Sequence, residues 1–208
     1  RTPAWRSELF DKLAAAKILG KQPEDVTKDE RQKVGKVSEL ACGYQGWVGA
    51  FRQMGGAAVD AMTDEEIARI AGGWRDSHPC IKRMWYNFEN AARAALRNPG
   101  ESFAVDLVAF DVKTDTFGVE WLRMRLPSGR YLCYMDPSGV ATTCPDCKGQ
   151  GVVVDEAGVF TTCENCEGQG EWGTNELSYM GVDQYTRQWK RQKTYGGKLV
   201  ENCVQAVA

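Results

Sequence analysis

Four cysteines have the spacing of a metal site. They form two CxxC pairs, Cys144 with Cys147 and Cys163 with Cys166, and fifteen residues separate the pairs. A CxxC turn lets two thiolates reach one metal ion, and two such turns joined by a hairpin complete a tetrahedral zinc site. The alternative is two disulfides in a secreted loop, for which the sequence offers no secretory context. We therefore expect one structural zinc ion on these four cysteines.

Both pairs continue into the phrase CxxCxGxG, in which glycines permit the turns that bring backbone amides to the sulfurs. In that phrase the chain resembles the cysteine-rich repeats of the Hsp40 chaperones. The charged residues around it are mostly acidic, since Lys148 is opposed by five carboxylates: Asp146, Asp155, Glu156, Glu164 and Glu167. An acidic surface disfavours phosphate binding, so we expect a protein partner or a purely steric role for this segment.

The other cysteines and the single histidine carry no predicted chemistry. The remaining cysteines stand singly among apolar neighbours, which favours small buried hydrophobic side chains: Cys42, Cys80, Cys133 and Cys203. His78 lies in the phrase SHPC beside a helix start and is interpreted as a surface or cap residue.

A second stretch whose side chains could bind a ligand is 29–51, DERQKVGKVSELACGYQGWVGAF, which is predicted to form one helix. Steps of three and four residues give it a core stripe and an available stripe. The core stripe holds Val34, Val37, Ala41 and Val48, and the available stripe holds Lys33, Lys36, Leu40 and Tyr44. The lysines can neutralise phosphate oxygens, and the tyrosine can stack on a base. Alternatively, the charges form a solvated face and Tyr44 belongs to the core.

Composition limits the class of protein. The chain has 208 residues, 26 Lys and Arg against 28 Asp and Glu, and a net charge of -2, so it has no whole-chain basic signature. No apolar run approaches the ~18 residues of a membrane span, so we expect no membrane contact and a cytoplasmic setting. The chain does not begin with Met and its last helical pattern still runs at Ala208, which suggests a piece of a longer polypeptide.

The residue pattern predicts an α+β fold: a helical lobe, a small antiparallel sheet, a zinc-ribbon-like insertion and a C-terminal helix. Apolar periodicity predicts a helix over 7–19, and the capping boxes Thr27/Glu30 and Thr63/Glu66 predict helices from about 28 and 64. A further helix starts near 79 and stops at 98–100. Alternating segments predict strands at 103–112, 117–126, 130–135, 177–185 and 186–194, with a hairpin turn at 127–129 and a final helix at 198–208.

Five phrases occur in an order that is typical of one enzyme family. They are ERQKVGKVSELACGYQGWVGAF, MTDEEIARIAGGWRDSHPCIKRMWYNF, RLPSGRYLCYMDP, LSYMGVDQYTRQWKRQ and TYGGKLVENCVQAVA. In these the chain resembles the family A (DNA polymerase I-like) DNA polymerases, especially their phage and prophage members. The resemblance covers nearly everything except the cysteine loop. It implies four regions: helical fingers at 1–100, a β-hairpin region joining the palm at 101–139, the zinc-binding insertion at 140–174, and return strands with a palm helix at 175–208.

The resemblance also implies roles for single residues. Residues 28–46 correspond to the helix that closes on the incoming dNTP, with Lys36 on the triphosphate, Leu40 beside the sugar and Tyr44 near the templating base. The family's arginine falls at Gln32, so either Arg31 or Lys33 is expected to take its phosphate contact. At the other end, Gln205 corresponds to a contact with the DNA primer-template minor groove, and Asn202 lies nearby, either in that contact or in packing.

Nucleotide addition by this family uses two magnesium ions, whose carboxylates the resemblance places before residue 1 and after residue 208. The chain alone is therefore expected to bind nucleotide and DNA weakly and to be inactive, within the host cytoplasm if phage-encoded. A different class remains open: a non-catalytic, zinc-containing module that binds nucleic acid or protein on a polymerase-like scaffold. A chaperone-like zinc domain is a weaker alternative, because there is one repeat pair instead of several.

Overall fold

The computed structural model describes residues 4–55, 57–154, 159–167, 169–172 and 175–207. The chain divides into two compact units. The first comprises the residues up to Glu89 together with Gly196–Ala206, and the second comprises Asn90–Tyr195. Helices dominate the first unit and an antiparallel sheet dominates the second, so the predicted α+β class is confirmed. The division into fingers, hairpin region, insertion and palm stays a prediction.

The helices begin and end close to the predicted signals. They are α1 (Ala4–Leu19), α2 (Lys28–Glu30), a π-helical segment (Arg31–Lys36), α3 (Val37–Cys42), α4 (Val48–Gly55), α5 (Ala57–Asp60), α6 (Asp64–Ser77), α7 (Pro79–Arg97) and α8 (Gly196–Val207), with a short 3-10 turn at Pro23–Asp25. Both capping boxes are present, at Thr27/Glu30 and at Thr63/Glu66. Gly20 ends α1 with φ of 66°.

The stretch predicted as one helix is divided. α2, the π-helical segment and α3 run together over 28–42, named here the central helix, and Gly43 caps its end. A turn follows in which Gln45 has φ of 70°, and α4 then begins at Val48. The prediction of one helix over 29–51 was therefore wrong: Tyr44 lies in the turn, and Val48 belongs to another helix. Val34 and Ala41 are buried as predicted.

Close backbone contact holds α1 against the π-helical segment. A Cβ atom on Gly35 would lie 1.9 Å from the backbone oxygen of Asp11, so only glycine permits this approach. The buried side of α1 consists of small residues, Ala14, Ala15 and Ala16. The larger apolar residues Leu9, Phe10 and Leu13, whose spacing predicted the helix, are exposed.

The second unit contains one six-stranded antiparallel sheet. Its strands are β1 (Ser102–Val105), β2 (Val108–Thr114), β3 (Glu120–Arg125), β4 (Tyr131–Ser138), β9 (Ser178–Val182) and β10 (Trp189–Lys193), in the spatial order β1-β2-β3-β4-β9-β10. The predicted strand at 103–112 is two strands, because Asp106, with φ of 51°, turns the chain between Val105 and Val108. The predicted turn at 127–129 is confirmed, with Gly129 at φ of 82°.

The cysteine segment leaves the sheet between β4 and β9 and forms two small sheets. β5 (Thr142–Thr143) pairs with β8 (Glu171–Trp172), and β6 (Val152–Val154) pairs with β7 (Phe160–Thr162). Arg93 of α7 fixes the base of this segment, since its Nη1 donates to the carbonyl oxygens of Gly139 and Asn175, at 2.5 Å in each case. Of the acidic residues predicted for this surface, Asp155 and Glu156 lie outside the described residues, whereas Asp146, Glu164 and Glu167 are exposed.

All four single cysteines were predicted to be buried, and the structure confirms this for two of them. Cys42 and Cys203 are buried, and burial raises the pKa of the Cys42 thiol to about 12. Cys80 and Cys133 are exposed. Cys133 points to the solvent side of β4, whereas the side chain of its strand neighbour Tyr134 is buried.

Within the described ranges, no helix combines the length and the apolar character that crossing a membrane requires.

Candidate metal centre and the cavity beside the central helix

The four predicted metal ligands come together in the second unit. Their sulfur atoms all lie within 4.8 Å of one another, with 3.8 Å between Cys144 and Cys163 and 3.6 Å between Cys147 and Cys166. A tetrahedron with Zn–S bonds of ~2.3 Å has edges of about 3.8 Å, so these spacings fit one zinc ion. The four thiols are buried, and no other His, Cys, Asp or Glu group of this kind occurs in the described part of the chain.

Each CxxC pair sits in a turn that presents backbone amides to sulfur. The N–H of Gly151 donates to Cys147 Sγ, and the N–H of Gly170 donates to Cys166 Sγ, both at 3.3 Å. The residue after each second cysteine has a left-handed backbone, with φ of 51° at Lys148 and 50° at Glu167. The two CxxCxGxG phrases therefore fold alike, as their shared sequence predicts.

The two turns are joined reciprocally. The N–H of Cys144 donates to the carbonyl of Gly170, and the N–H of Cys163 donates to the carbonyl of Gly151, both at 2.9 Å. The strand before the first turn pairs with the strand after the second, and the two intervening strands pair with each other. This pseudo-two-fold arrangement aims all four sulfurs at a common centre.

The thiols differ in their proton affinity. Burial raises the pKa of the Cys163 thiol to about 11. Burial acts on Cys147 in the same direction, but the amide of Gly151 and the thiol of Cys166 outweigh it and lower its pKa to about 7. Cys147 therefore reaches the thiolate form that a metal ligand needs near neutral pH. A set of four thiolates suits zinc in preference to a hard cation such as magnesium.

A cavity of about 550 Å³ in the first unit contains three of the predicted nucleotide-binding residues. Lys36, Leu40 and Tyr44 contribute to its lining, with Lys36 and Leu40 from the central helix and Tyr44 from the turn that follows it. The other lining residues come from α1, α3, α7, α8 and that same turn: Phe10, Asp11, Glu39, Gly43, Ile81, Met84, Val200 and Val204. Most of this lining is apolar, with charged groups gathered at Asp11, Lys36 and Glu39.

Two acidic residues in the lining interact with their surroundings, one through burial and the other through a hydrogen bond. Asp11 is buried, and this burial raises the pKa of its carboxyl group, although Arg31 and Lys36 oppose the shift. Glu39 Oε1 accepts a hydrogen bond of 2.9 Å from Trp74 Nε1. His78, at the end of α6, stacks on Trp74 with 4.1 Å between ring centroids, and its Nδ1 lies 2.8 Å from the Trp74 carbonyl oxygen. His78 is the C-cap residue of α6, which agrees with its interpretation as a surface or cap residue.

The two cations that were alternatives for a phosphate contact do not line the cavity. Arg31 pairs with Glu8 at 3.3 Å, and only 14% of the Arg31 side chain is exposed. Lys33 pairs with Asp29 at 2.7 Å. Lys36 is exposed and has no ion pair with any described residue, so it is the cation of the three that is available to a ligand in the cavity.

The predicted DNA-binding residues lie on α8. Gln205 is exposed, and its Nε2 donates to Glu201 Oε1 at 3.1 Å. Asn202 is half-buried. Neither side chain lines the cavity, although Val200 and Val204 of the same helix do. The structure therefore brings Lys36, Leu40 and Tyr44 together at the cavity, whereas Gln205 and Asn202 lie on α8 outside its lining.

The sequence analysis missed the glycine pair that seats α8. A Cβ atom on Gly197 would lie 2.3 Å from the carbonyl oxygen of Tyr44, and one on Gly196 would lie 1.9 Å from that of Trp85. The N–H of Gly197 also donates to Gln45 Oε1 at 2.8 Å. Two adjacent glycines at a helix start were the available signal for this close approach. They fix α8 against the turn that carries Tyr44.

Comparison with known proteins found similarity to a phage protein. No protein-family model and no solved structure matched the chain. The chain is 32% identical over 212 residues to a DNA polymerase of Bacillus phage SP02. That match covers 98% of this chain but 27% of the relative. The chain is therefore similar to a phage DNA polymerase along nearly its whole length, and it spans about a quarter of that protein.

Proposed function

We propose that this chain forms part of a template-directed DNA polymerase, a nucleotidyltransferase that binds dNTP and primer-template during DNA replication. The observation that carries the proposal is the similarity to the phage polymerase over 98% of the chain. Similarity confined to one small motif would cover a much smaller share of the chain. The order of the five phrases and the cavity at the central helix agree with membership of the family A polymerases.

The cavity supports a specific nucleotide site. Its apolar walls suit the flat faces of a base and sugar, and Lys36 provides a cation that the described residues leave unpaired. The ammonium group of a lysine, a point charge at the end of a flexible side chain, is a usual partner for phosphate oxygens. Lys36 would hold the triphosphate, Leu40 would contact the sugar, and Tyr44 would contact the base at the template position. Gln205 and Asn202 would contact the primer-template.

Arg31 and Lys33 support the fold of this site in our proposal instead of contacting phosphate. Their partners Glu8 and Asp29 already neutralise them. Magnesium ions, when bound in the polymerase, supply charge neutralisation at the reacting phosphate. The role of this chain is to bind and orient the nucleotide.

The cysteine cluster would hold a structural zinc ion. The four sulfurs match a tetrahedral site, and the segment has few buried apolar side chains to stabilise it otherwise, since Val154, Val159 and Phe160 are all exposed. Metal binding would therefore supply most of the folding free energy of this segment. Its exposed carboxylates favour a protein partner or a steric role over contact with DNA.

Primer extension tests the polymerase proposal. The matched segment of the Bacillus phage SP02 polymerase is replaced by this chain, and single-nucleotide incorporation is measured in the chimera. We expect activity that Lys36→Ala lowers by ~2 to 4 kcal/mol of transition-state stabilisation, or roughly 30- to 900-fold in kcat/KM. Lys33→Ala, which removes a cation already paired with Asp29, is the matched control and should change little.

Two results would contradict the proposal. One is a chimera that folds and binds primer-template but extends no primer. The other is unchanged incorporation kinetics in Lys36→Ala.

A further inference from the structure

One face of the six-stranded sheet is exposed and carries aromatic side chains beside cations. Strand register places Trp121 opposite Met135, Met135 opposite Met180, and Met180 opposite Arg191, so these residues share one face. The opposite face holds the buried residues Phe110, Val112, Leu122, Met124 and Tyr134. Alternation along each strand then assigns Lys113, Arg123, Arg125, Tyr131 and Trp189 to the exposed face.

Two aromatic side chains on this face, Tyr131 and Trp189, are exposed. Tyr131 is 44% exposed and Trp189 is 56% exposed, while Trp121 is partly buried and its Nε1 donates to Asp115 at 2.9 Å. That hydrogen bond fixes the orientation of the Trp121 ring. The Arg123 guanidinium lies 4.6 Å from the Tyr131 ring centroid and makes two 2.7 Å bonds to Asp111. These contacts hold the Trp121 and Tyr131 rings in defined orientations.

The charge of the face is positive although the chain as a whole is acidic. By register the exposed face carries five cations, Lys113, Arg123, Arg125, Arg191 and Lys193, and one carboxylate, Asp111. Arg191 pairs with Asp136, and Lys193 pairs with Glu176 at 2.8 Å. Lys113 and Arg125 have no ion pair with any described residue. After pairing, two cations remain uncompensated on this face.

We propose that this face binds single-stranded DNA, with bases stacked on Tyr131 and Trp189 and phosphates contacted by Lys113 and Arg125. Unpaired bases present π-faces that stack on exposed aromatic side chains, and the backbone requires cations. A duplex keeps its bases stacked inside and does not need the aromatic residues. An acidic protein partner would need the cations but not the two exposed rings on the same face.

The choice of DNA over RNA rests on the proposed function, and the occupant would be a single-stranded part of the template. The binding itself is a separate property of the second unit. Lys36 and the nucleotide cavity belong to the first unit, so each measurement reports on its own site. A failure of either proposal can therefore be distinguished from a failure of the other.

Fluorescence anisotropy of a labelled oligothymidylate of about twenty nucleotides, titrated with the purified chain, tests the proposal. We expect saturable binding that Trp189→Ala weakens by about tenfold. Binding should weaken with salt between ~50 and ~200 mM, and Lys113→Gln should reduce the slope of log affinity against log salt by about 0.7.

The chain offers matched controls on the same sheet. Lys190 neighbours Trp189 on β10 but points to the opposite face and pairs with Asp183 at 3.0 Å, so Lys190→Gln should leave affinity and salt slope unchanged. Phe117 is 90% exposed in the turn before β3. Phe117→Ala therefore controls for the loss of an exposed ring in Trp189→Ala. Circular dichroism of each variant verifies that it is folded.

Absence of oligothymidylate binding at low salt would overturn the proposal. Equal weakening by Lys113→Gln and Lys190→Gln would also overturn it, because the attraction would then be diffuse. Wild-type affinity in a folded Trp189→Ala variant would exclude stacking on that ring.

Discussion

Replacing Gly35 by alanine should destabilise the first unit, because this position is where α1 lies closest to the π-helical segment. The new Cβ would lie 1.9 Å from the oxygen and 2.8 Å from the carbon of the Asp11 carbonyl group. Ordinary C···O contacts start at about 3.3 Å. The two backbones would therefore separate by about 1.4 Å, and neither can move aside as a flexible side chain does.

The expected cost is about 3 kcal/mol, at the upper end of the range for overpacking in a core. Separation of the helices also displaces Asp11 and Lys36, which line the same cavity. Urea unfolding monitored by tryptophan fluorescence measures the loss, because Trp74 and Trp85 are buried in this unit.

Gly72 of α6 provides the matched control, since a Cβ there would meet nothing within 4 Å. Gly72→Ala should raise the free energy of unfolding by ~0.5 to 1 kcal/mol through helix propensity alone. If Gly35→Ala is as stable as the wild type, or gains stability as Gly72→Ala does, the close packing of α1 described here is wrong.

Two further predictions concern the cysteine segment. Purified protein should contain about one zinc ion per chain, and Cys144→Ser should lose most of it, whereas Cys133→Ser, exposed and outside the cluster, should retain it. Elemental analysis that finds unchanged zinc in Cys144→Ser, or mass spectrometry that finds disulfides, would refute the site. Replacing 141–173 by a short glycine-serine linker should leave the sheet folded and primer-template affinity within a few-fold, because Arg93 still bonds to Gly139 and Asn175. A hundredfold loss of DNA affinity would instead identify the segment as a DNA clamp.

Local signals predicted much of the fold. The capping boxes at Thr27 and Thr63 fixed two helix starts, because the Glu three residues later completes the reciprocal hydrogen bonds. The two CxxCxGxG phrases predicted a metal centre, because their spacing itself brings the thiols together. In both cases the residues that make the contact are close in sequence or repeat one pattern.

Long-range packing set the features that the sequence analysis missed. The central helix contains a π-helical segment where Gly35 meets α1, a contact that helical periodicity does not report. The predicted strand at 103–112 breaks at Asp106, which adopts a left-handed backbone although it is not glycine.

The exposure of single side chains was also set by tertiary structure. Phe10 had the spacing of a core residue, but it is exposed and lines the cavity. The position of Lys36 in the same cavity depends on α1, α7 and α8 together, so helical spacing alone could indicate the available stripe but not its neighbours.

Equilibrium binding of a nucleotide to this chain tests the central claim most directly. Fluorescence of N-methylanthraniloyl-dATP is measured with the wild-type chain, with Lys36→Ala and with Lys33→Ala, in the presence of magnesium. We expect saturable binding that unlabelled dATP displaces better than dAMP, because Lys36 contacts the triphosphate. Lys36→Ala should weaken this binding at least about tenfold, and Lys33→Ala should stay within about twofold of the wild type. Equal affinity of the wild type and Lys36→Ala would contradict a nucleotide site at the central helix.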